Sequence, residues 1–138
     1  MIYVVIQFSC IIYLILNLDS NNFDLAEYLL IFFATLIGLS AVVSMKLDNL
    51  SILPELKEVH QLRTQGIYTF ARHPMYTSVL LFCLALMLSN PNWVAQLIML
   101  ILFIDLILKS NLEEELLTKR FKNYPQYQQK TGRFFPFL

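Results

Sequence analysis

Glycine is scarce in this chain. Only Gly38, Gly66 and Gly132 occur. No G-x-G-x-x-G or Walker-type phosphate loop can be assembled from three such residues, which excludes the usual nucleotide-binding α/β folds. Charge is scarce as well, and balanced. Lys+Arg and Asp+Glu count ten each and together make 14% of the chain, against about 25% in an average soluble domain. No net basic field is available to attract nucleic acid. The two cysteines, Cys10 and Cys83, stand alone in apolar runs. They read as small apolar residues and not as a disulfide or a metal site. His60 and His73 have no cysteine or second histidine near them, so no metal centre is expected.

Hydrophobic residues are abundant instead. They make up 57% of 138 residues, and the mean hydropathy is +0.59. One domain, 1–138, is the default at this length. Four stretches approach the roughly 17–25 apolar residues that a spanning helix needs. Met1 to Leu16 and Tyr28 to Met45 carry no charge, Met75 to Leu88 carries none, and Trp93 to Leu108 carries only Asp105. None has the polar stripe of a helix in a soluble bundle. The expectation is an all-α integral membrane protein with about four transmembrane helices, over 1–17, 27–46, 74–89 and 92–109, followed by a C-terminal helix and tail over 110–138.

The cations set the orientation. All ten fall in the second loop and the tail, from Lys46 to Arg72 and from Lys109 to Arg133. The first loop, Asn17 to Glu27, has acidic charges only. An even number of passes puts every cation and both termini on one side, which the positive-inside rule makes the cytoplasm. Trp93 and Tyr28 sit where interfacial aromatics belong. The expected location is a cell inner (plasma) membrane. The first stretch lacks the basic start and A-x-A site of a signal peptide.

Polar residues gather in the 29-residue loop from Lys46 to Pro74 and in the tail. Pro54 can start a short helix through Leu62. Asp105, Lys109 and Glu113 stand four apart, which predicts one continuous helix leaving the membrane with i,i+4 ion pairs. Pro125 and then Gly132 are expected to end it. Loop and tail together form a cytosolic cap, the natural place for a site.

Three clusters carry possible chemistry. Gly66-Ile67-Tyr68 and Arg72-His73-Pro74-Met75-Tyr76 lie at the entry of the third span. An arginine and a histidine ahead of a helix that opens with proline make a ready anion site. They would also serve as an interfacial anchor. Glu113-Glu114-Glu115 is ordinarily a solvated face. Neighbours on a helix point about 100° apart, so at most one or two can share a pocket. The tail adds Phe121-x-x-Tyr124-x-x-Tyr127, then Thr131-Gly132-Arg133-Phe134-Phe135-Pro136.

These blocks resemble the signature of integral-membrane methyltransferases of the isoprenylcysteine carboxyl methyltransferase type, which the phospholipid N-methyltransferases closely share. The first block is similar to their R-H-P-x-Y. Glu113-Glu114, Leu117, Phe121, Tyr124, Tyr127, Thr131, Arg133 and Pro136 are similar to the C-terminal E-E-x-x-L…F-x-x-Y-x-x-Y-x-x-x-T-x-R-F-x-P. Pro54-Glu55 and Leu62 resemble the lead-in. The likeness covers about Leu53 to Leu138. The chain departs from it at Thr77-Ser78, where many members have glycine, and in the compact Phe121 to Tyr124 spacing.

The resemblance implies S-adenosylmethionine as cofactor, in a pocket roofed by loop and tail. It implies cofactor contacts from Gly66, Tyr68, His73, Pro74, Tyr76, Glu113, Glu114 and Tyr124. Arg72, Glu113 and Arg133 would act on the reacting groups. The partner is a lipophilic small molecule or lipid-anchored substrate drawn from membrane lipid, and its methylated group is a carboxylate, an amine or a thiol. Two other readings stay open, an NADPH-dependent membrane reductase and a non-catalytic membrane subunit.

Overall fold

The computed structural model describes residues 2–45 and 66–136. Within them run α1 (Ile2–Leu16), α2 (Leu25–Met45), α3 (Pro74–Ser89), α4 (Trp93–Arg120) and α5 (Tyr124–Lys130). Short 3-10 turns occupy Ser20–Asn22 and Gly66–Thr69. The one extended pairing among the described residues is a parallel bridge of Ala71 with Gly132. The all-α expectation holds for these residues. The helix expected from Pro54 to Leu62, together with His60, Lys46, Lys57 and Arg63, lies outside them.

Local chemistry sets the helix ends. Asn92 caps α4 by accepting the Ala95 N–H at 2.9 Å, as an N-cap amide should. Glu27 reaches back to the Asp24 N–H at 2.8 Å at the start of α2, the reciprocal half of a capping box. Pro74 opens α3, where its missing N–H costs nothing. Gly66 has φ +63° and packs against Ser44, so both its backbone and its space favour glycine.

The helices alternate in direction. Asn17 to Asn22 and Ser89-Asn90 meet at one end, where the Asp19 N–H donates to Ser89 Oγ at 3.1 Å and Asn90 Nδ2 donates to the Asn17 carbonyl at 2.9 Å. At the other end Lys109 Nζ donates to Gln7 Oε1 at 3.0 Å. The start of α1, the start of α3 and the end of α4 therefore share one end. α2 lies along α3, with α1 against α4. Gly38 allows the close approach of α2 to α3, since a Cβ there would stand 2.8 Å from Ser78 Oγ. That hydroxyl donates to the Ala34 carbonyl at 2.6 Å. Cys10 and Cys83 are free and buried in the seam with Leu80, Leu86, Leu102 and Leu106.

Outward faces stay apolar. Leu39, Val43 and Leu100 are more than half exposed. A continuous apolar exterior of this kind belongs in lipid more than in water. Among the described residues two helices, Leu25–Ser44 and Trp93–Arg120, are long and apolar enough to cross a membrane. α1 and α3 are apolar but shorter, at 15 and 16 residues, a rise of about 23 Å against a core of about 30 Å. α4 continues unbroken for 28 residues, as the spacing predicts. Its rise of about 42 Å carries the last turns beyond the apolar zone.

Two expectations need correction. The i,i+4 ion pairs from Asp105 through Lys109 to Glu113 do not form. Lys109 turns to Gln7 and lies over the Tyr76 ring at 5.0 Å, Glu113 accepts from the Tyr76 hydroxyl, and both Asp105 oxygens lack a partner. These positions do share a face, but that face is the inner seam, so the side chains are aimed at α1 and α3 and not along the helix. Pro125 does not stop α4. That helix ends at Arg120, with the Phe121 N–H on the Leu117 carbonyl at 2.8 Å. Pro125 sits in the first turn of α5, where proline is tolerated.

Candidate functional site

The site grows from the entry of α3. The 3-10 turn Gly66–Thr69 brings the chain to Arg72 and His73, and Pro74 starts the helix. The tail returns as a strap over this entry. The Arg72 and His73 N–H groups donate to the Gly132 and Arg133 carbonyls, each at 2.9 Å. Thr77 Oγ1 donates to the Phe134 carbonyl. Tyr127 Oη donates to the Tyr68 carbonyl at 2.6 Å. The two backbone donors just ahead of α3 are therefore engaged by the strap.

The Glu pair comes from the exposed end of α4. The two carboxylates approach the same imidazole from both edges. Glu114 Oε1 lies 3.0 Å from His73 Nε2, and Glu113 Oε2 lies 3.6 Å from His73 Nδ1. Tyr76 stacks on the His73 ring at 5.4 Å, nearly parallel, and its hydroxyl donates to Glu113. Phe134 meets both rings edge-on.

Glu114 is the more heavily tied. It accepts from Arg72 Nε at 2.7 Å and from Gln128 Nε2 at 3.2 Å, and Arg133 stands at 3.6 Å. Arg72 also donates to the Gln128 and Thr131 carbonyls at 3.0 and 2.7 Å. Arg133 reaches Ser110 and Asn111 of α4 at 3.2 and 2.6 Å. Burial works against the Glu114 charge, yet the His73 and Arg72 hydrogen bonds outweigh it and hold the carboxyl down to about 2. Burial wins at Glu113 and lifts its carboxyl above the usual range, against the pull of His73 and the Tyr76 hydroxyl. The proton affinities of adjacent glutamates are thus shifted in opposite directions. Glu115 points outward to an exposed pair with Lys119 at 3.2 Å.

Of the residues singled out in the sequence, Arg72, His73, Tyr76, Glu113, Glu114 and Arg133 converge here. Tyr68 and Tyr124 are buried, and burial pushes both phenols up. Gly66 and Pro74 shape the backbone. Phe134, part of the tail block singled out in the sequence, joins them through its ring and its carbonyl. Gln128 and Thr77 join without having been expected as site residues, because they act through amide and hydroxyl contacts that no short motif encodes. Beside the strap a cleft of about 370 Å³ opens between the 69–72 turn, residues 129–133 and Pro136.

No curated protein matches the chain. A model of the phospholipid methyltransferase family matches residues 25–124. The match takes in α2, α3 and α4 and reaches further upstream than the motif likeness, which left the second span without a signature. It covers well over half of the 138 residues, and the chain belongs to the phospholipid methyltransferase family.

Proposed function

We propose that the chain transfers a methyl group from S-adenosylmethionine to a lipophilic acceptor at the cytosolic face of a membrane. Family membership carries the class of reaction and the lipid-related substrate. Donor, face and acceptor are the proposal. Four passes, with α1 and α3 as tilted or partial spans, would put the cation-rich tail and both termini in the cytoplasm.

The observation that carries the reading is the pair of unlike glutamates on either edge of His73. The methyl donor fits that arrangement. It has an ammonium to satisfy, and Glu113 keeps acceptor capacity, since an ionised carboxylate offers about four lone-pair sites. Its side chain is 20% exposed, against 8% for Glu114. Glu114 is already used by the protein, so its part is to hold Arg72, His73 and Arg133 in place. Tyr68 and Tyr124, both buried, would back the donor's pocket from behind.

Bound S-adenosylmethionine supplies an electrophilic methyl group on a sulfonium. The protein's main work is then to position the acceptor. For an amine acceptor, Glu113 takes the proton at Oε2, and its lifted proton affinity suits a base working nearer neutral pH. For a carboxylate, Arg72 or Arg133 orients it by charge-assisted hydrogen bonds. For a thiol, the same cations favour the thiolate. The family match favours a phospholipid-type acceptor over an isoprenylcysteine.

The test is calorimetric titration of detergent-solubilised protein with S-adenosylhomocysteine, with NADPH as control. Saturable micromolar binding of the first alone, lost in Glu113→Ala and His73→Ala, is the expected result. Preference for NADPH, or no binding in either detergent or lipid nanodiscs, overturns the reading.

A further inference from the structure

Three cations and no carboxylate line the cleft beside the strap: Arg72, Lys130 and Arg133. Glu114 lies behind both arginines. Its single negative charge does not offset the three cations on the walls. Lys130 is exposed, in the last turn of α5, and forms no ion pair among the described residues. Just ahead of α3 the Arg72 and His73 N–H groups are taken by strap carbonyls, so the charged side chains of the cleft, a few residues from where α3 enters the apolar zone, are what this face offers an anion.

We propose that this cleft is the subsite for the phosphodiester of a phospholipid acceptor. The proposal rests on the methyl-transfer reading and names the part of the acceptor that the protein holds. The spacing of charges decides between the two anionic groups on offer. The donor's carboxylate and ammonium share one carbon, so a carboxylate seated among three cations would hold its ammonium against them. A phospholipid's phosphodiester is joined to its headgroup amine through a carbon arm, which lets the phosphate enter the cleft while the amine turns away towards Glu113. Arg72 and Arg133 supply planar donors, and Lys130 supplies a mobile point charge. The rim is apolar where a lipid needs it to be. Phe70 is 59% exposed at the cleft and Phe135, at 41%, adjoins Pro136. A phosphate at this level would sit at the membrane surface with its chains running down the lipid-facing helices. Its headgroup would then have the Glu113 side of the same cluster within the same short stretch of the tail and α4.

The test uses the full chain in a non-ionic detergent, titrated with monomeric dihexanoyl phosphatidylethanolamine, with dihexanoylglycerol, and with S-adenosylhomocysteine. The phosphate-bearing lipid should bind more tightly than the glycerol, and added salt should weaken it. Lys130→Glu should weaken its binding about tenfold, the scale of one charge-assisted contact. Lys130→Arg should restore it, and neither variant should move the affinity for S-adenosylhomocysteine. Unchanged lipid affinity in Lys130→Glu overturns the proposal. An equal loss for S-adenosylhomocysteine also overturns it, because the cleft would then hold the donor's carboxylate. A wild-type chain that binds the phospholipid through Lys130 but never binds S-adenosylhomocysteine leaves the subsite standing and defeats the methyl-transfer reading alone.

Discussion

Glu114→Gln is the most informative single change. The carboxylate ties α4 to Arg72, His73, Gln128 and Arg133, and so holds the strap over α3. Its carboxyl is held down from 4.5 to about 2. At about 1.36 kcal/mol per pH unit, that difference corresponds to about 3 kcal/mol of preference for the charged form in the folded state. A glutamine keeps the shape and loses the charge. It should lower the melting temperature by on the order of 10 °C at this chain length. Hydrogen exchange should quicken at the Arg72 and His73 amides, which the strap carbonyls protect. Acid should reproduce the effect. A depressed carboxyl stabilises the fold fully above its unfolded value near 4.5, and the contribution drains away as pH falls from there towards about 2. Glu115→Gln is the control, since its pair with Lys119 is largely exposed and worth little. Equal melting temperatures for Glu114→Gln and wild type, with unchanged protection of the two amides, would refute the reasoning.

Two further outcomes are expected. Tyr76→Phe removes the hydroxyl that helps keep Glu113 ionised. If activity needs the Glu113 carboxylate, it fails as pH falls through the raised value, and the variant should move that acid limb of the pH–rate profile to higher pH; an unmoved limb would show that another group sets it. Asp105 is 3% exposed with both oxygens unpartnered, a buried polar group without compensation. Asp105→Leu should therefore raise the melting temperature, and a clear fall would mean that the carboxylate has a partner in the folded protein.

The sequence by itself determined the helical class, the near positions of the helices and the continuity of α4, because those follow from long apolar runs and from spacing within one segment. It also brought Arg72, His73, Glu113 and Glu114 forward, since their types and order are written in short blocks. Three-dimensional packing decided the rest. Asp105, Lys109 and Glu113 keep their helical spacing, but only the presence of α1 and α3 on that face determines that Lys109 seeks Gln7 and Glu113 seeks Tyr76. The division of labour between Glu113 and Glu114 is likewise invisible along the chain. One step of helical rotation turns Glu114 into Arg72, Gln128 and Arg133 and leaves Glu113 with burial as its dominant influence. The strap is the clearest case. Two of its hydrogen bonds run from the Arg72 and His73 amides to the Gly132 and Arg133 carbonyls some sixty residues away, and every residue type carries those groups, so no side-chain pattern could have announced that pairing.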